Sequence, residues 1–93
     1  MAVRWTNTVL ANLVAIVSYI ERDNAEAAKS FALEVLAKTS SLAEFPSMGR
    51  PGRVIGTREL VIHANYIIPY RIRGDSVEIL RLHHVAQRWP RRF

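Results

Sequence analysis

The spacing of apolar side chains changes near the middle of the chain. Between residues 7 and 42 they recur every three to four positions, as in amphipathic helices, whereas from residue 57 onward they alternate, as in strands. The segment FPSMG at residues 45–49 separates the halves, because a proline disfavours helix at the residue before it. The first half therefore predicts helices and the second half a sheet, in a chain of 93 residues with room for one domain.

The helical half is expected to form two helices in a hairpin. RDN at residues 22–24 interrupts the first apolar stripe, and Asn24 can cap a second helix, while Thr6 or Thr8 can cap the first. Two amphipathic helices joined by so short a turn pack together and share an apolar face. The two stripes consist of Leu10, Leu13, Val14, Val17 and Ile20, and of Ala28, Phe31, Ala32, Val35, Leu36 and Leu42.

One short strand precedes the helices and three strands follow them. AVRW at residues 2–5 predicts the first, and TRELVIHA, YIIPYRIR and SVEILRLHH predict the other three, with GD as the turn between the last two. Pro69 lacks a backbone donor, so it is expected at a sheet edge or a bulge. The order β-α-α-β-β-β predicts a single α+β domain over residues 1–93, with a helical hairpin on one face of a twisted antiparallel sheet and the other face open.

Basic residues are concentrated in the second half of the chain. The net charge is +5; residues 46–93 hold nine arginines and no lysine against three acidic residues, whereas residues 1–45 hold four basic and five acidic residues. The guanidinium group is a planar fork of donors that fits phosphate and carboxylate groups. The arginine excess indicates an anionic partner, either a nucleic acid or an acidic protein, and the alternative is a solvated basic surface.

Many of these arginines fall on the sheet face expected to be open. Arg71 and Arg73 lie on the less apolar side of their strand, and Arg81 lies on the next strand. Such a face can hold a phosphate backbone or an acidic peptide. Sheets that bind RNA usually add aromatic side chains for base stacking, for which Trp89 and Phe93 are candidates, although Trp89 fits equally well as a plug of the core. The other arginines expected to border this face are Arg50, Arg53, Arg58, Arg88, Arg91 and Arg92.

The first two arginines of the connector from Phe45 to Leu60 have two possible roles. Its glycines and prolines end the helix and form turns. Arg50 and Arg53 either flank a binding groove or satisfy the carbonyl groups at the end of the second helix. The sequence leaves both roles open.

His83 and His84 are candidates for a metal ligand or a general acid or base. His83 and His84 are adjacent in a strand and point to opposite faces, so they cannot bind one metal together, and a chain without cysteine has no thiolate site or disulfide. One of the pair can act as a general acid or base near neutral pH while the other packs. No P-loop, nucleophile elbow or zinc spacing occurs, so we expect no metal and no cofactor.

Four segments taken together resemble one protein family. They are RWTNTVLANLVAIVSYIERDNAEAAKSF, FPSMGRPGRVIGTREL, YIIPYRI and ILRLHHVAQRWP, which cover nearly the whole chain. The combination is similar to the RelE/ParE superfamily of type II toxins, the plasmid-stabilisation toxins. The resemblance implies a toxin that inhibits growth unless a cognate antitoxin binds it through a mostly helical, often acidic segment. The antitoxin of such a pair commonly also binds the operator DNA.

The resemblance leaves two mechanisms open. RelE-like members are metal-independent endoribonucleases that cut mRNA on the ribosome, and they need an acid, a base and cations around the phosphate. ParE-like members inhibit DNA gyrase by binding. The catalytic candidates for the nuclease are Arg58, Arg71, Arg81 and His84, and the candidates for binding RNA or another target are Arg50, Arg53, Arg73, His83, Arg88 and Trp89.

The nuclease is the preferred hypothesis, because an arginine-lined face and a histidine at a strand end suit phosphate chemistry. One residue argues against the usual catalytic set: well-known interferases carry an arginine just after the residue that opens the third strand, where this chain has Ile67. A third possibility is a nucleic-acid-binding or interaction domain without toxicity.

The N-terminal segment, MAVRWTNTVLANLVAIVSYIERD, does not predict export. Its apolar run is interrupted by Asn12 and ends in charged residues rather than in a small-residue cleavage site. The run is also too short and too polar to span a bilayer. Together with the absence of cysteine, which fits a reducing compartment, this predicts a cytoplasmic protein.

Overall fold

The computed structural model describes residues 1–63 and 65–86 and has the expected α+β order of elements. The two helices are α1 (Asn7–Glu21) and α2 (Ala25–Ser41). The strands are β1 (Ala2–Trp5), β2 (Arg50–Pro51), β3 (Arg58–Ile62), β4 (Tyr66–Arg73), β5 (Ser76–Ile79) and β6 (His83–His84). Two of these, β2 and β6, contain only two residues each, and alternation in the sequence did not reveal them as separate strands.

Each helix begins at a capping residue predicted from the sequence. The Oγ1 atom of Thr6 accepts a hydrogen bond from the amide of Val9 at 3.3 Å. The Oδ1 atom of Asn24 accepts one from the amide of Ala27 at 3.0 Å. Both bonds satisfy an amide that the first turn of a helix leaves without an intrahelical partner. Only residues 22–24 separate the helices, which therefore form the expected hairpin.

The sheet is antiparallel with one exception. Its order is β1-β5-β4-β3-β2, and β6 also pairs with β4. The pairs β2–β3, β3–β4, β4–β5 and β4–β6 are antiparallel, whereas β1 runs parallel to β5. No tight turn links β1 to its neighbour: the helical hairpin and three strands lie between them, so the direction of β1 is not imposed by a hairpin loop.

A bulge opposite Pro69 divides the last predicted strand into β5 and β6. Tyr70 pairs with Ile79 and Ile67 pairs with His83, so two residues of β4 face three residues of the partner. The carbonyl of Pro69 accepts from the amide of Leu80 at 3.0 Å, so the side of Pro69 that lacks a donor faces the bulged strand. The predicted bulge position of Pro69 is confirmed. The partner strand holds its extra residue opposite Pro69, whose nitrogen cannot donate a hydrogen bond to it.

The core lies between the hairpin and the alternate residues of the sheet. Leu10, Val14 and Leu36 were expected on the inner stripes but are 47%, 67% and 49% exposed. On α1 the inner positions are taken by Val9, Leu13, Ile16, Val17 and Ile20. The buried cluster consists of Val9, Phe31, Val35, Leu42, Leu60, Ile62, Ile68, Tyr70, Val77, Ile79 and Leu82. The hairpin covers one face of the sheet, as predicted.

The face away from the hairpin is not open along its whole length, contrary to expectation. Glu59, Ile67 and His83 point to this face and are at most 3% exposed. Cross-strand pairing places Ile67 between Val61 of β3 and His83 of β6, which makes an apolar centre. The exposed, charged parts of this face are therefore separated by this buried centre: one lies at the end formed by β1, β5 and the second half of β4, and Arg50 of β2 lies at the other edge.

Candidate functional site

Glu78 lies between two arginines in a row of side chains on the face away from the helices. Cα pairing places it opposite Arg4 of β1 on one side and opposite Arg71 of β4 on the other. Directly opposed residues point to the same face, so three strands contribute one row of charges. The Nε atom of Arg71 donates to Oε1 of Glu78 at 2.7 Å, and the Nε atom of Arg73 lies 3.5 Å from the same oxygen. We call these four residues the Glu78 cluster.

The arginines hold Glu78 in its ionised form. The hydrogen bond from Arg71 is the main reason that the pKa of the Glu78 carboxyl lies below its ordinary value of 4.5. Desolvation acts in the opposite direction, and the charges of Arg73, Arg71 and Arg4 lower the pKa further. At neutral pH the cluster consists of one carboxylate and three guanidinium groups. Arg4 was missed at the sequence level, because only the long-range pairing of β1 with β5 brings it here.

Glu59 is a second acidic residue on this face, and it is 2% exposed. Its Oε1 atom accepts from Nε of Arg50 at 3.1 Å, and its Oε2 atom accepts from the backbone amide of Arg53 at 3.0 Å. A buried carboxylate requires such partners, because its desolvation is otherwise costly. Glu59 therefore folds the connector back onto β3, and the described side-chain bond of Arg50 reaches Glu59 rather than the end of α2.

Arg58 lies on the opposite face of the sheet from Arg71. It pairs with Tyr70, which precedes Arg71 in β4, and successive residues of a strand point to opposite faces. The Nη1 atom of Arg58 donates to the carbonyl of Gly49 at 2.7 Å and to that of Ser47 at 3.2 Å. Arg58 thus makes the contact with the connector carbonyls after α2 that the sequence suggested for Arg50 and Arg53.

Tyr70 fixes the same part of the connector. Its hydroxyl donates to the carbonyl of Pro46 at 2.7 Å and accepts from the amide of Gly49 at 2.9 Å. Burial raises the pKa of the Tyr70 phenol above 10.0, although the Gly49 bond and the charge of Arg58 oppose this shift. Gly49 is required here, because a Cβ atom would lie 2.7 Å from Cε1 of Tyr70. We call Pro46–Gly49 with Tyr70 and Arg58 the connector latch.

A cleft at one end of the sheet brings two of the catalytic candidates together. It has a volume of about 270 Å³ and opens between the end of the connector and the second half of β4. Arg58 and Arg71 both line it from their opposite faces. The remaining lining residues are Pro51, Gly56, Thr57 and Ile72.

His84 lies toward the other end of β4, whereas Arg81 lies opposite the middle of that strand. Arg81 is half-buried within the bulge, and His84 pairs with Tyr66, on whose ring it packs edge to face with centroids 5.0 Å apart. The Nδ1 atom of His84 accepts from the amide of Ala86 at 3.0 Å. Tyr66 and Tyr70, the partner of Arg58, are four positions apart, which is about 13 Å along a strand. The four catalytic candidates therefore do not surround one point.

The remaining predicted residues are distributed as follows. His83 is buried beside Ile67, and Arg73 belongs to the Glu78 cluster. Arg88 and Trp89, like Phe93, Arg91 and Arg92, lie outside the described residues. In residues 1–63 and 65–86 no three histidine, cysteine or acidic side chains are grouped to hold a metal ion. None of the helices in that part of the chain has the length and apolarity needed to cross a membrane.

Another charged group lies on the opposite side of the molecule, between α2 and the end of β3. Glu34 accepts from Nε2 of His63 at 2.9 Å through one oxygen and pairs with Lys38 at 3.0 Å through the other. Lys38 also donates to the carbonyl of Val61 at 2.9 Å. The Glu34–Lys38 spacing of four residues is a recognisable helix pair, but the contact with His63 depends on the tertiary fold.

Comparison with known proteins identifies the family. A family model described as "ParE toxin of type II toxin-antitoxin system, parDE" matches residues 3–89. The putative toxin Y4kP of Sinorhizobium fredii is 47% identical over 89 residues, which cover 95% of this chain and 92% of the relative. Toxin RelE2 of Caulobacter vibrioides is 39% identical over 83 residues, which cover 89% of this chain and 93% of the relative.

A solved structure shares the fold. The structure described as "Chromosomal ParDE TA system from P. aeruginosa" superposes with a TM-score of 0.81 at 27% identity, and the match covers 91% of this chain and 96% of the other. The resemblance to the RelE/ParE superfamily and the fold expected from the sequence are both confirmed. The matched family, the two toxin relatives and this structure agree, and the chain belongs to the ParE toxin family of type II toxin–antitoxin systems.

Proposed function

We propose that this toxin stops growth by binding DNA gyrase, and that it does not cut mRNA. The observation that carries the proposal is the separation of the nuclease candidates: Arg58 and Arg71 line the cleft at one end of β4, whereas His84 pairs about 13 Å away along the strand. Cleavage by general acid–base catalysis needs an acid, a base and cations within reach of a single phosphate. A binding protein has no such requirement.

The state of the two arginines in the cleft supports the same proposal. Nη1 of Arg58 is bound to two carbonyls of the connector latch, and Nε of Arg71 is bound to Glu78. In the free toxin both guanidinium groups therefore contact groups of the chain itself, and a phosphate bound by Arg71 competes with Glu78. The more exposed arginines, Arg73 at 63% and Arg50 at 51%, lie on the sheet face away from the helices, where they can contact a large partner.

Neutralisation by a cognate antitoxin is part of the proposed function, and the outside of the helical hairpin fits a helical antitoxin segment. Four apolar residues on α1 and α2 are 47–67% exposed: Leu10, Val14, Leu33 and Leu36. Because the chain reverses at residues 22–24, Leu10 lies at a similar level to Leu36, and Val14 at a similar level to Leu33. Soluble monomers rarely expose such groups of apolar side chains without a partner.

The second candidate is a ribosome-dependent mRNA endoribonuclease. Two observations favour it: Arg58 and Arg71 line one cleft, and one relative carries the name Toxin RelE2. In this reading the two arginines bind the phosphate, and Arg81 and His84 act from an arrangement formed only with the ribosome. Proteins that act on large assemblies can require such a rearrangement on binding.

Pulse labelling after induction in a host without the antitoxin separates the two candidates. We expect thymidine incorporation to fall before methionine incorporation, and purified gyrase to lose supercoiling activity when the toxin is added. We expect the double variant Arg81→Gln with His84→Gln to remain toxic, like the control Arg22→Gln at the exposed end of α1. An early fall in methionine incorporation with mRNA cleavage on ribosomes, abolished only in the double variant, would overturn the proposal.

A further inference from the structure

We propose that Arg4, Arg71 and Arg73 form a binding site for a phosphate-type oxyanion, and that Glu78 occupies this site in the free toxin. The three arginines come from two strands on either side of β5, which carries Glu78. The carboxylate thus lies where a bound anion would lie, as an internal ligand. This inference concerns a separate property of the chain and does not depend on whether the target is gyrase.

The hydrogen bonds around Glu78 leave the arginines with spare donors. Arg71 and Arg73 both direct Nε to the same oxygen, Oε1. Within residues 1–63 and 65–86 the terminal nitrogens of these two guanidinium groups make no hydrogen bond. A guanidinium has five N–H donors, so a tetrahedral oxyanion with several oxygens can use the groups that one carboxylate oxygen leaves unused.

Space and access favour a small anion at this position. The row of residues next to Arg4, Glu78 and Arg71 consists of Ala2, Ser76 and Arg73, so two of its three members are small. The side chain of Glu78 is 22% exposed and that of Arg71 is 29% exposed, which leaves both within reach of solvent. An anion can therefore approach the guanidinium groups without a change in the sheet.

The composition of this face favours phosphate chemistry over recognition of stacked bases. Cross-strand pairing directs Trp5, Tyr66 and Tyr70 to the face covered by the hairpin. In the described part of the chain, no aromatic ring of the sheet's long strands shares the face of the Glu78 cluster. Proteins that bind single-stranded nucleic acid depend on such rings, so the cluster is suited to the charge of an oxyanion alone.

The test compares phosphate binding in Glu78→Gln with the unmodified full-length toxin. Inorganic phosphate is titrated at constant ionic strength and neutral pH, and the NMR signals of the arginine Nε groups report binding. Loss of the negative charge that competes with phosphate for the three arginines is expected to tighten binding roughly fivefold or more. Glu34→Gln is the matched control, because it also removes a carboxylate paired with two basic side chains.

Second variants link the effect to the cluster. Glu78→Thr removes the carboxylate with a residue that suits a strand, and it is expected to bind phosphate as tightly as Glu78→Gln. Adding Arg4→Gln or Arg73→Gln to Glu78→Gln is expected to cancel the gain. A short oligonucleotide titrated in parallel shows whether a phosphodiester backbone is held as well as free phosphate.

Four results would overturn the proposal. The first is phosphate binding in Glu78→Gln and Glu78→Thr that is no tighter than in the unmodified toxin. The second is an equal gain in Glu34→Gln, and the third is a gain that survives loss of Arg4 and Arg73. A gain seen with the oligonucleotide but not with inorganic phosphate also contradicts it, because that result reflects net charge rather than a compact site.

Discussion

The hydroxyl of Tyr70 accepts the amide hydrogen of Gly49 at 2.9 Å, although 21 residues separate the two in the chain. The same hydroxyl donates to the carbonyl of Pro46, so one phenol satisfies a donor and an acceptor of the connector. Tyr70 is fully buried, and its bond with Gly49 is buried as well. The connector after α2 is therefore held to the sheet by Tyr70 of β4 as well as by Arg58 and Glu59 of β3.

Replacement of Tyr70 by phenylalanine tests the strength of this attachment. The variant leaves the amide of Gly49 and the carbonyl of Pro46 without their partner, which is expected to lower the free energy of unfolding by about 1–3 kcal/mol. Urea unfolding measures the change. Tyr19→Phe is the control, because Tyr19 is 65% exposed, and it is expected to change stability by less than about 0.5 kcal/mol. Equal stability of both variants would contradict the role of the latch.

Glu59→Gln tests the buried carboxylate of the connector. The Arg50 and Arg53 hydrogen bonds go to different oxygens of Glu59, and an amide replaces one of those oxygens by an NH₂ donor, so one of the two bonds is lost. We expect a loss of about 1–3 kcal/mol in the free energy of unfolding, measured by urea denaturation. Glu44→Gln has the same change of charge at an exposed position and serves as the control. A loss of the same size in both variants would indicate an effect of net charge alone.

The stability of the toxin in acid is expected to depend on Glu78. Its pKa is lower in the folded chain than its ordinary value of 4.5, so its ionised form stabilises the fold above about that pH. The contribution is lost as the pH falls from there through the lowered pKa. Unfolding midpoints in urea, measured at a series of pH values, should therefore fall less steeply in acid for Glu78→Gln than for the unmodified chain. Identical slopes would show that the arginines do not favour the carboxylate.

Val14→Asp tests the proposed antitoxin surface. Val14 is 67% exposed, so the change is expected to alter the free energy of unfolding by less than about 0.5 kcal/mol. A charge placed in an apolar interface is expected to weaken binding of the cognate antitoxin by about tenfold or more, measured by calorimetry. Ala27→Asp, at an exposed position in the first turn of α2, is the control and should bind normally. Normal binding by Val14→Asp would place the antitoxin elsewhere.

Local features of this fold could be predicted because local chemistry determines them. Asn24 caps α2 because its side chain reaches the amide three residues ahead, and Thr6 caps α1 in the same way. Pro69 lies at a bulge because it cannot donate to the ladder. Each of these inferences depends on a few neighbouring residues, which the sequence displays directly.

The site could be predicted only in part, because strand register decides which arginines meet. Arg58 and Arg71 both belong to the arginine-rich second half of the chain. Strand register nevertheless directs Arg58 toward the connector latch and Arg71 toward Glu78. Arg4 joins the cluster through a parallel pair whose strands are far apart in the chain. The buried state of Glu59 depends on how the connector folds back, and no periodicity in the sequence encodes that path.

The parallel pairing of β1 with β5 also determines when the toxin can be completed during synthesis. Ala2 is made first, but its partner Ser76 follows 74 positions later. At 5–20 residues per second, β1 waits roughly 4 to 15 seconds for β5, the strand with which it pairs. Until then Arg4 has neither Glu78 nor Arg71 beside it. The Glu78 cluster therefore cannot exist on a nascent chain that lacks its last quarter, and a truncated product is expected to have no such surface.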